Sequence, residues 1–348
     1  MAKHSFIDAL TSEGYQSRIH DVMKEVQTMH YVTGSYGLFP YQLIKEIQWD
    51  ENEEVEYFHS FYYPEKVIGF LHPRKKKALL FHRPLWKYPV AKEVIFSLEK
   101  CIERNKLPKN VTEMINLKYQ HEKVCCTYLK KAKEIHFQKE HIYRTSLDFQ
   151  KADSLADSLI KEVFLEKVEA TNQEVKQRFF GTFTAKGPIN FLDSITKTVK
   201  QRYIIHGRSG SGKSTLMKKI VQAARDRKES VTIYPCSFDP KSLDMVVLED
   251  RLIAFIDGTS PHPLSKSREG DVIVDTFECC MDASVEKEYQ ADIDNVTNEY
   301  KKMIALARHQ LELAVELQRK IDESYEQALI EYRYENVKNM LNLSFING

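Results

Sequence analysis

Two rhythms of apolar residues run along the chain. Short runs at 203–205, 231–234 and 252–256 are rich in β-branched, aromatic and aliphatic residues, the pattern of strands buried on both faces. Between the first two, Leu216, Met217, Ile220 and Val221 follow helical spacing and predict a helix from residue 214 to about 227. Long stretches of a different kind follow. Residues 70–180 and 271–347 contain no glycine. In the second stretch Ile293, Val296, Tyr300, Ile304, Ala307, Leu311 and Ala314 keep a three-four rhythm, and in the first Ile115, Tyr119, Tyr128, Ala132, Ile135 and Ile142 do the same less regularly, after a break at Pro108. These are amphipathic helical arms, read as covering the sheets in preference to projecting as a partner-binding coiled coil.

Sliding the chain on itself reveals a repeat. An offset of 173 positions lays Gly34 on Gly207, Leu43 on Leu216, Ile47 on Ile220, Phe6 on Phe179 and Gly14 on Gly187. An offset of 176 lays the stretch ending at Pro64 on that ending at Pro240. The pattern predicts two tandem α/β domains, each a mainly parallel sheet with flanking helices followed by a long helical arm. The first spans 1–173 (core about 1–90, arm about 91–173) and the second 174–348 (core about 174–280, arm about 281–345).

The halves differ where chemistry would sit. In the second of these tandem P-loop NTPase-like domains, Gly207, Arg208, Ser209, Gly210, Ser211, Gly212, Lys213 and Ser214 match G-x-x-x-x-G-K-[ST] between a strand and a helix, the phosphate-binding loop pattern of nucleoside triphosphatases. Glycines let successive backbone N–H groups curl around phosphate oxygens, and the following helix points its positive end at the same anion. Lys213 is expected to reach the β- and γ-phosphates, Ser214 to ligate Mg²⁺, and Thr215 to lie near the α-phosphate. Asp257, closing the apolar run 252–256, has the form of a Walker B acid that would hold Mg²⁺ opposite Ser214. Asp239 and Asp244, placed in a loop after the strand 231–234, either orient an attacking water or contact a substrate, or simply start a turn, as Asp before Pro commonly does. After Asp257, Thr259 and Ser260 read as contacts to phosphate or water or as loop caps, and His262 as a γ-phosphate sensor or a structural histidine beside prolines. In the first half Phe39, Pro40, Tyr41 and Phe81 stand at the positions of Gly212, Lys213, Ser214 and Asp257, which predicts a pseudo-domain that binds no nucleotide.

Composition narrows the remaining classes. The 51 basic and 50 acidic residues of this 348-residue chain nearly cancel, so no global charge argues for nucleic acid. No apolar run approaches the ~20 residues of a membrane span, and the opening MAKHSFIDAL lacks a signal peptide's apolar region. Six cysteines without a C-x-x-C spacing suggest neither a disulfide framework nor a zinc site, and a reducing cytoplasmic setting is expected. The basic run 74–77 reads as a solvated face, or as a donor of one basic residue to the other half.

The stretches RFFGTFTAKGPINFLDSI, RYIIHGRSGSGKSTLMKKI, CSFDPKSLDMVV and IAFIDGTSPHP resemble an uncharacterised family of duplicated P-loop ATPases of spore-forming Firmicutes. The resemblance implies ATP binding through Gly207, Gly212, Lys213 and Ser214, with Asp257 as the Walker B acid. Asp239, Asp244, Thr259 and His262 match motif positions without an assigned role. The first half departs from the family pattern at Phe39, Pro40, Tyr41 and Phe81. The expectation is a Mg-dependent ATP hydrolase with one working site. Its first half is regulatory or structural, and its helical arms are candidate protein-binding surfaces. A small-molecule kinase and a nucleotide-gated scaffold with little turnover are the alternatives. The missing N-K-x-D guanine signature leans the reading towards ATP over GTP.

Overall fold

The computed structural model describes residues 2–34, 39–47, 53–81, 92–169, 173–259 and 263–346. Ser260 and His262, and the side chains of Phe39 and Pro40, lie outside the described residues. The first half runs β1 (Ala2–Ser5), β2 (Asp8–Thr11), β3 (Gly14–Ser17), α1 (Ile19–Lys24), β4 (Thr28–Thr33), α2 (Phe39–Glu46), β5 (Val55–His59), β6 (Val67–His72), β7 (Lys77–Phe81), β8 (Lys92–Ser97), α3 (Val111–Arg144) and α4 (Phe149–Val163). The second repeats that order as β9 (Val175–Gln177), β10 (Gly181–Thr184), β11 (Gly187–Asn190), α5 (Leu192–Ile195), β12 (Gln201–His206), α6 (Lys213–Asp226), β13 (Val231–Pro235), β14 (Leu243–Leu248), β15 (Ile253–Asp257) and β16 (Asp271–Asp275). After two short helices, α7 (Thr276–Cys280) and α8 (Ser284–Glu288), come α9 (Gln290–Gln327) and α10 (Glu331–Ile346).

Among the described residues each half forms a six-stranded sheet, ordered β1-β5-β6-β7-β4-β8 in one and β9-β13-β14-β15-β12-β16 in the other. Each position in one order has its repeat mate at the same position in the other, so the duplication read from the sequence is one of topology. Three of the five pairings in each sheet are parallel. The exceptions flank β6 and β14, which run antiparallel to both neighbours. This makes the sheets mixed, and it corrects the placement of Asp244. Residues 243–248 are a strand, and only the four residues 249–252 separate it from β15. Leu252, expected in the strand, instead takes a left-handed φ of 57° at the end of that turn.

Alternation along β14 and β15 sorts residues between two layers. Val246, Leu248 and Phe255 pack with Leu216, Met217, Ile220 and Val221 of α6, while Met245, Val247, Ala254 and Ile256 pack with Leu192 and Ile195 of α5. Beside β12, the buried Arg202 guanidinium grips Asp271 of β16 through Nε at 2.7 Å and Nη2 at 2.6 Å, and holds that carboxyl well below the usual carboxylate range.

The halves meet as two copies would about a two-fold axis. Phe6 and its repeat mate Phe179 exchange both backbone hydrogen bonds, at 2.8 and 2.9 Å. The symmetry is broken next door. Arg178, 1% exposed, reaches across to Glu56 at 3.0 Å and Glu25 at 2.5 Å, where its mate Ser5 donates to Glu56 at 2.7 Å.

The long helices account for the rest. At about 1.5 Å per residue, α3 and α9 are roughly 50 and 57 Å long. They lie antiparallel, with Lys118 bonded to Gln318 and Lys139 to Thr297. Cys125, Leu129, Ala307, Leu311 and Ala314 fill the seam. Because each long helix ends over the opposite half, the short helix after it is delivered there. Ala156, Leu159 and Val163 of α4 join the core of the second sheet, and Tyr334, Leu341 and Phe345 of α10 join that of the first. Among the described residues no helix is long and apolar enough to cross a membrane.

Candidate functional site

Strand β12 ends at His206 and α6 begins at Lys213, so the glycine-rich loop leaves the carboxyl edge of the sheet and turns directly into a helix N-terminus. Gly207, Gly210 and Gly212 all have positive φ, at 150°, 75° and 88°. Two of them are also in tight quarters. A Cβ on Gly207 would fall 2.1 Å from Thr276 Oγ1, and one on Gly210 would fall 2.7 Å from the Glu140 carbonyl oxygen of α3. The loop is tied underneath by Ser211, whose Oγ is 2.7 Å from Thr276 Oγ1, itself a donor to the His206 carbonyl.

Lys213 lies across the loop mouth. Its Nζ donates to the carbonyls of Arg208 at 2.9 Å and Gly207 at 3.4 Å, and sits 3.9 Å from Asp257 Oδ2. Asp257 is the last residue of β15 and, by alternation from Ile253 and Phe255, belongs to the α6 face. Its Oδ1 accepts from both Thr259 N at 3.0 Å and Thr259 Oγ1 at 2.5 Å, so Thr259 orients the carboxylate. Ser214 Oγ accepts from Leu243 N at 3.2 Å. The other predicted loop side chains turn aside: Arg208 Nε donates to Glu286 at 2.5 Å, and Ser209 Oγ is 2.8 Å from His136 Nε2.

The two remaining aspartates separate in character. Asp244 lies one step beyond the Met245–Ile256 pair, which puts it opposite Asp257 in the β14–β15 ladder. Burial, reinforced by the Asp257 charge, pushes its pKa up to about 7. Asp239 stays in the loop and pairs with Lys133 of α3 at 2.7 Å, and the same ammonium lies 3.2 Å from Glu13. Burial works against the charge on Lys133, but Asp239 and Glu13 outweigh it and raise its pKa. One turn on, burial and the neighbouring Lys139 and Lys213 charges lower the pKa of His136.

The raised pKa of Asp244 has a sign that can be checked. Between the ordinary carboxylate value near 4 and about 7, the native protein binds more protons at this group than the unfolded chain. Its contribution to stability is therefore full below about pH 4 and is lost as pH rises through about 7. In metal-free, nucleotide-free protein, urea unfolding is expected to show the wild type losing on the order of 2 kcal/mol more stability than Asp244→Asn between about pH 5 and about pH 8. Identical slopes in the two proteins would exclude the shift.

Lys133, His136, Glu140, Thr276 and Glu286 were not singled out from the sequence. Lys133 and His136 share a helix face at i, i+3 spacing. Only the repeat offered a signal: α9 begins 179 positions after α3, and the corresponding residues there are Glu312 and Val315.

At the equivalent place in the first half the arrangement is filled in. Tyr41 meets Phe81 edge-on at 6.4 Å, where the second half has Ser214 and Asp257. Tyr63, at the position of Asp239, donates to Asp322 of α9 at 3.0 Å. Gln318 donates to the same carboxylate at 2.7 Å, and Lys118 donates to Gln318 at 3.1 Å. Burial pushes the Asp322 pKa up to about 6. A hydrogen-bonded network from Tyr63 to Lys118 and two aromatic rings stand at the positions that carry Asp239, Ser214 and Asp257 in the second half.

Compared with known proteins, the chain matches no family model, no curated protein and no solved structure.

Proposed function

We propose that this protein binds a nucleoside triphosphate, ATP in preference to GTP, at a single P-loop in its second half and hydrolyses it with Mg²⁺, while the first half serves a structural or regulatory role. One observation carries the reading: the Lys213 ammonium is held by two loop carbonyls at the mouth of a loop with three positive-φ glycines, in front of the α6 N-terminus and 3.9 Å from Asp257. In the first half the residues at the equivalent loop and strand positions have been replaced together with those on the facing arm, which supports one working site rather than two.

The donor set fits magnesium. Among the described residues no three His, Cys, Asp or Glu side chains cluster as a cage. One hydroxyl, Ser214, and one carboxylate, Asp257, suit an ion that takes most of its oxygens from phosphates and water. Bound there with the triphosphate, Mg²⁺ would neutralise phosphate charge. The loop amides and Lys213 would bind the β- and γ-phosphates, and Thr259 would keep Asp257 in its orientation. Of the two aspartates with open roles, Asp244 has the better case for holding the proton of an attacking water, since a base works best with a pKa near the working pH. Asp239 is engaged by Lys133 and positions α3 over the loop.

The test is equilibrium titration with fluorescent ATP and GTP in the presence of Mg²⁺ or EDTA, with phosphate release followed in the same samples. Saturable Mg-dependent ATP binding with turnover is expected. Binding without turnover would favour the nucleotide-gated scaffold, phosphate transfer to a metabolite the kinase, and no binding of either nucleotide would overturn the reading.

A further inference from the structure

A cavity of about 190 Å³ opens beside the glycine-rich loop, on the Thr215 side of α6 and away from Asp257. One wall is the loop and first helical turn, Gly212, Thr215 and Leu216; the other comes from the first half's arm, Arg144 at the end of α3 and Phe149 and Ala152 at the start of α4. The volume is below the ~300–1,000 Å³ of sites that enclose a drug-sized ligand whole, and suits one part of a ligand anchored next door. Phe149 is the first residue of α4. It is 55% exposed, and the Arg144 guanidinium carbon lies 5.7 Å from its ring centre. An exposed aromatic face with an arginine beside it, next to a small cavity with mixed apolar and polar walls, is the kind of platform on which nucleobases stack.

Resting on the P-loop reading above, we infer that this cavity is the base subsite: the planar heteroaromatic base of the bound nucleotide stacks on Phe149 beside Arg144. The phosphate tail then runs past Thr215 to Lys213 and Ser214. The half that has no working loop of its own therefore supplies the base platform for the other, and a bound nucleotide bridges the two halves. α3 already touches the loop at two further points, His136 on Ser209 and Glu140 against Gly210, so the last turns of the same helix run beside the site.

The probes that separate base from phosphate contacts are Mg-ATP and Mg-tripolyphosphate, titrated into the full chain. Phe149→Ala is expected to weaken Mg-ATP about tenfold or more while leaving Mg-tripolyphosphate within about twofold of wild type, and Phe149→Tyr, which keeps the ring, to bind both as wild type does. Because Phe149 is largely exposed, its removal leaves the cores untouched. Unchanged ATP affinity in Phe149→Ala, or equal weakening of both ligands, overturns the base subsite. Wild-type protein that binds neither ligand overturns instead the P-loop reading on which it rests.

Discussion

Lys213→Ala is expected to lower Mg-ATP affinity at least about hundredfold and to bring phosphate release to background, the largest functional effect of any single change in this chain. The ammonium has little to do in the folded protein apart from the loop. It donates to the Arg208 and Gly207 carbonyls and stands near Asp257. In a complex those donors would turn to phosphate oxygens, and hydrogen bonds to ionised groups contribute about 1.5–3 kcal/mol each. Removing two such bonds is enough for the predicted loss. Stability should change little, since the loop is held by Ser211, Thr276 and three glycines rather than by the lysine. Lys213→Arg should fail as well, because a planar fork does not replace a compact point charge on a four-carbon stem. Fluorescence titration and phosphate release read both variants, and unfolding curves show whether they remain folded. Wild-type affinity in Lys213→Ala would move the nucleotide site away from the loop altogether.

How far the sequence carried this reading depended on whether a signal was local. The loop, its strand and helix, the apolar run closing at Asp257 and the duplication were legible because each is a contiguous pattern, and the helical face of Leu216, Met217, Ile220 and Val221 packs as its spacing requires. Asp244 was misplaced because β14 follows a turn-rich segment and is joined to β15 by only four residues, so two antiparallel strands read as one loop and one strand. The facing pair Asp244 and Asp257, and with it the raised pKa, depends on that pairing. Lys133 and His136 were illegible for a different reason. A period of 3.6 identifies the buried face of a helix but not which half it covers, and α3 runs about 50 Å from its own sheet to the other. Of the basic run 74–77, the alternative source of a crossing charge, residues 74–76 sit instead in the turn between β6 and β7, and Lys77 opens β7 and donates to the Ser344 carbonyl.

The crossing of the arms sets the second large effect, which lies in the last helix of the chain. Chain ends are commonly dispensable, and residues 331–346 carry no motif. Yet Phe345 is 1% exposed, its ring 4.3 Å from His30 and 5.1 Å from Phe70, and Tyr334 and Leu341 sit in the same core as Val32, Leu43 and Phe96. Phe345→Ala is therefore expected to destabilise the first half by about 3–5 kcal/mol, the range for deleting a buried aromatic side chain. Leu343, two residues away and 55% exposed, provides the control, with Leu343→Ala expected within about 0.5 kcal/mol of wild type. Deleting 331–348 removes all three core side chains at once and should leave the first sheet unable to hold its fold. The second sheet keeps its own cover, because α4 lies upstream of the cut. Urea unfolding followed by aromatic fluorescence and amide exchange would resolve the two halves. A deletion that left β4 to β7 as protected as in the full chain would show that α10 does not cover the first sheet, and with it that the arms do not cross.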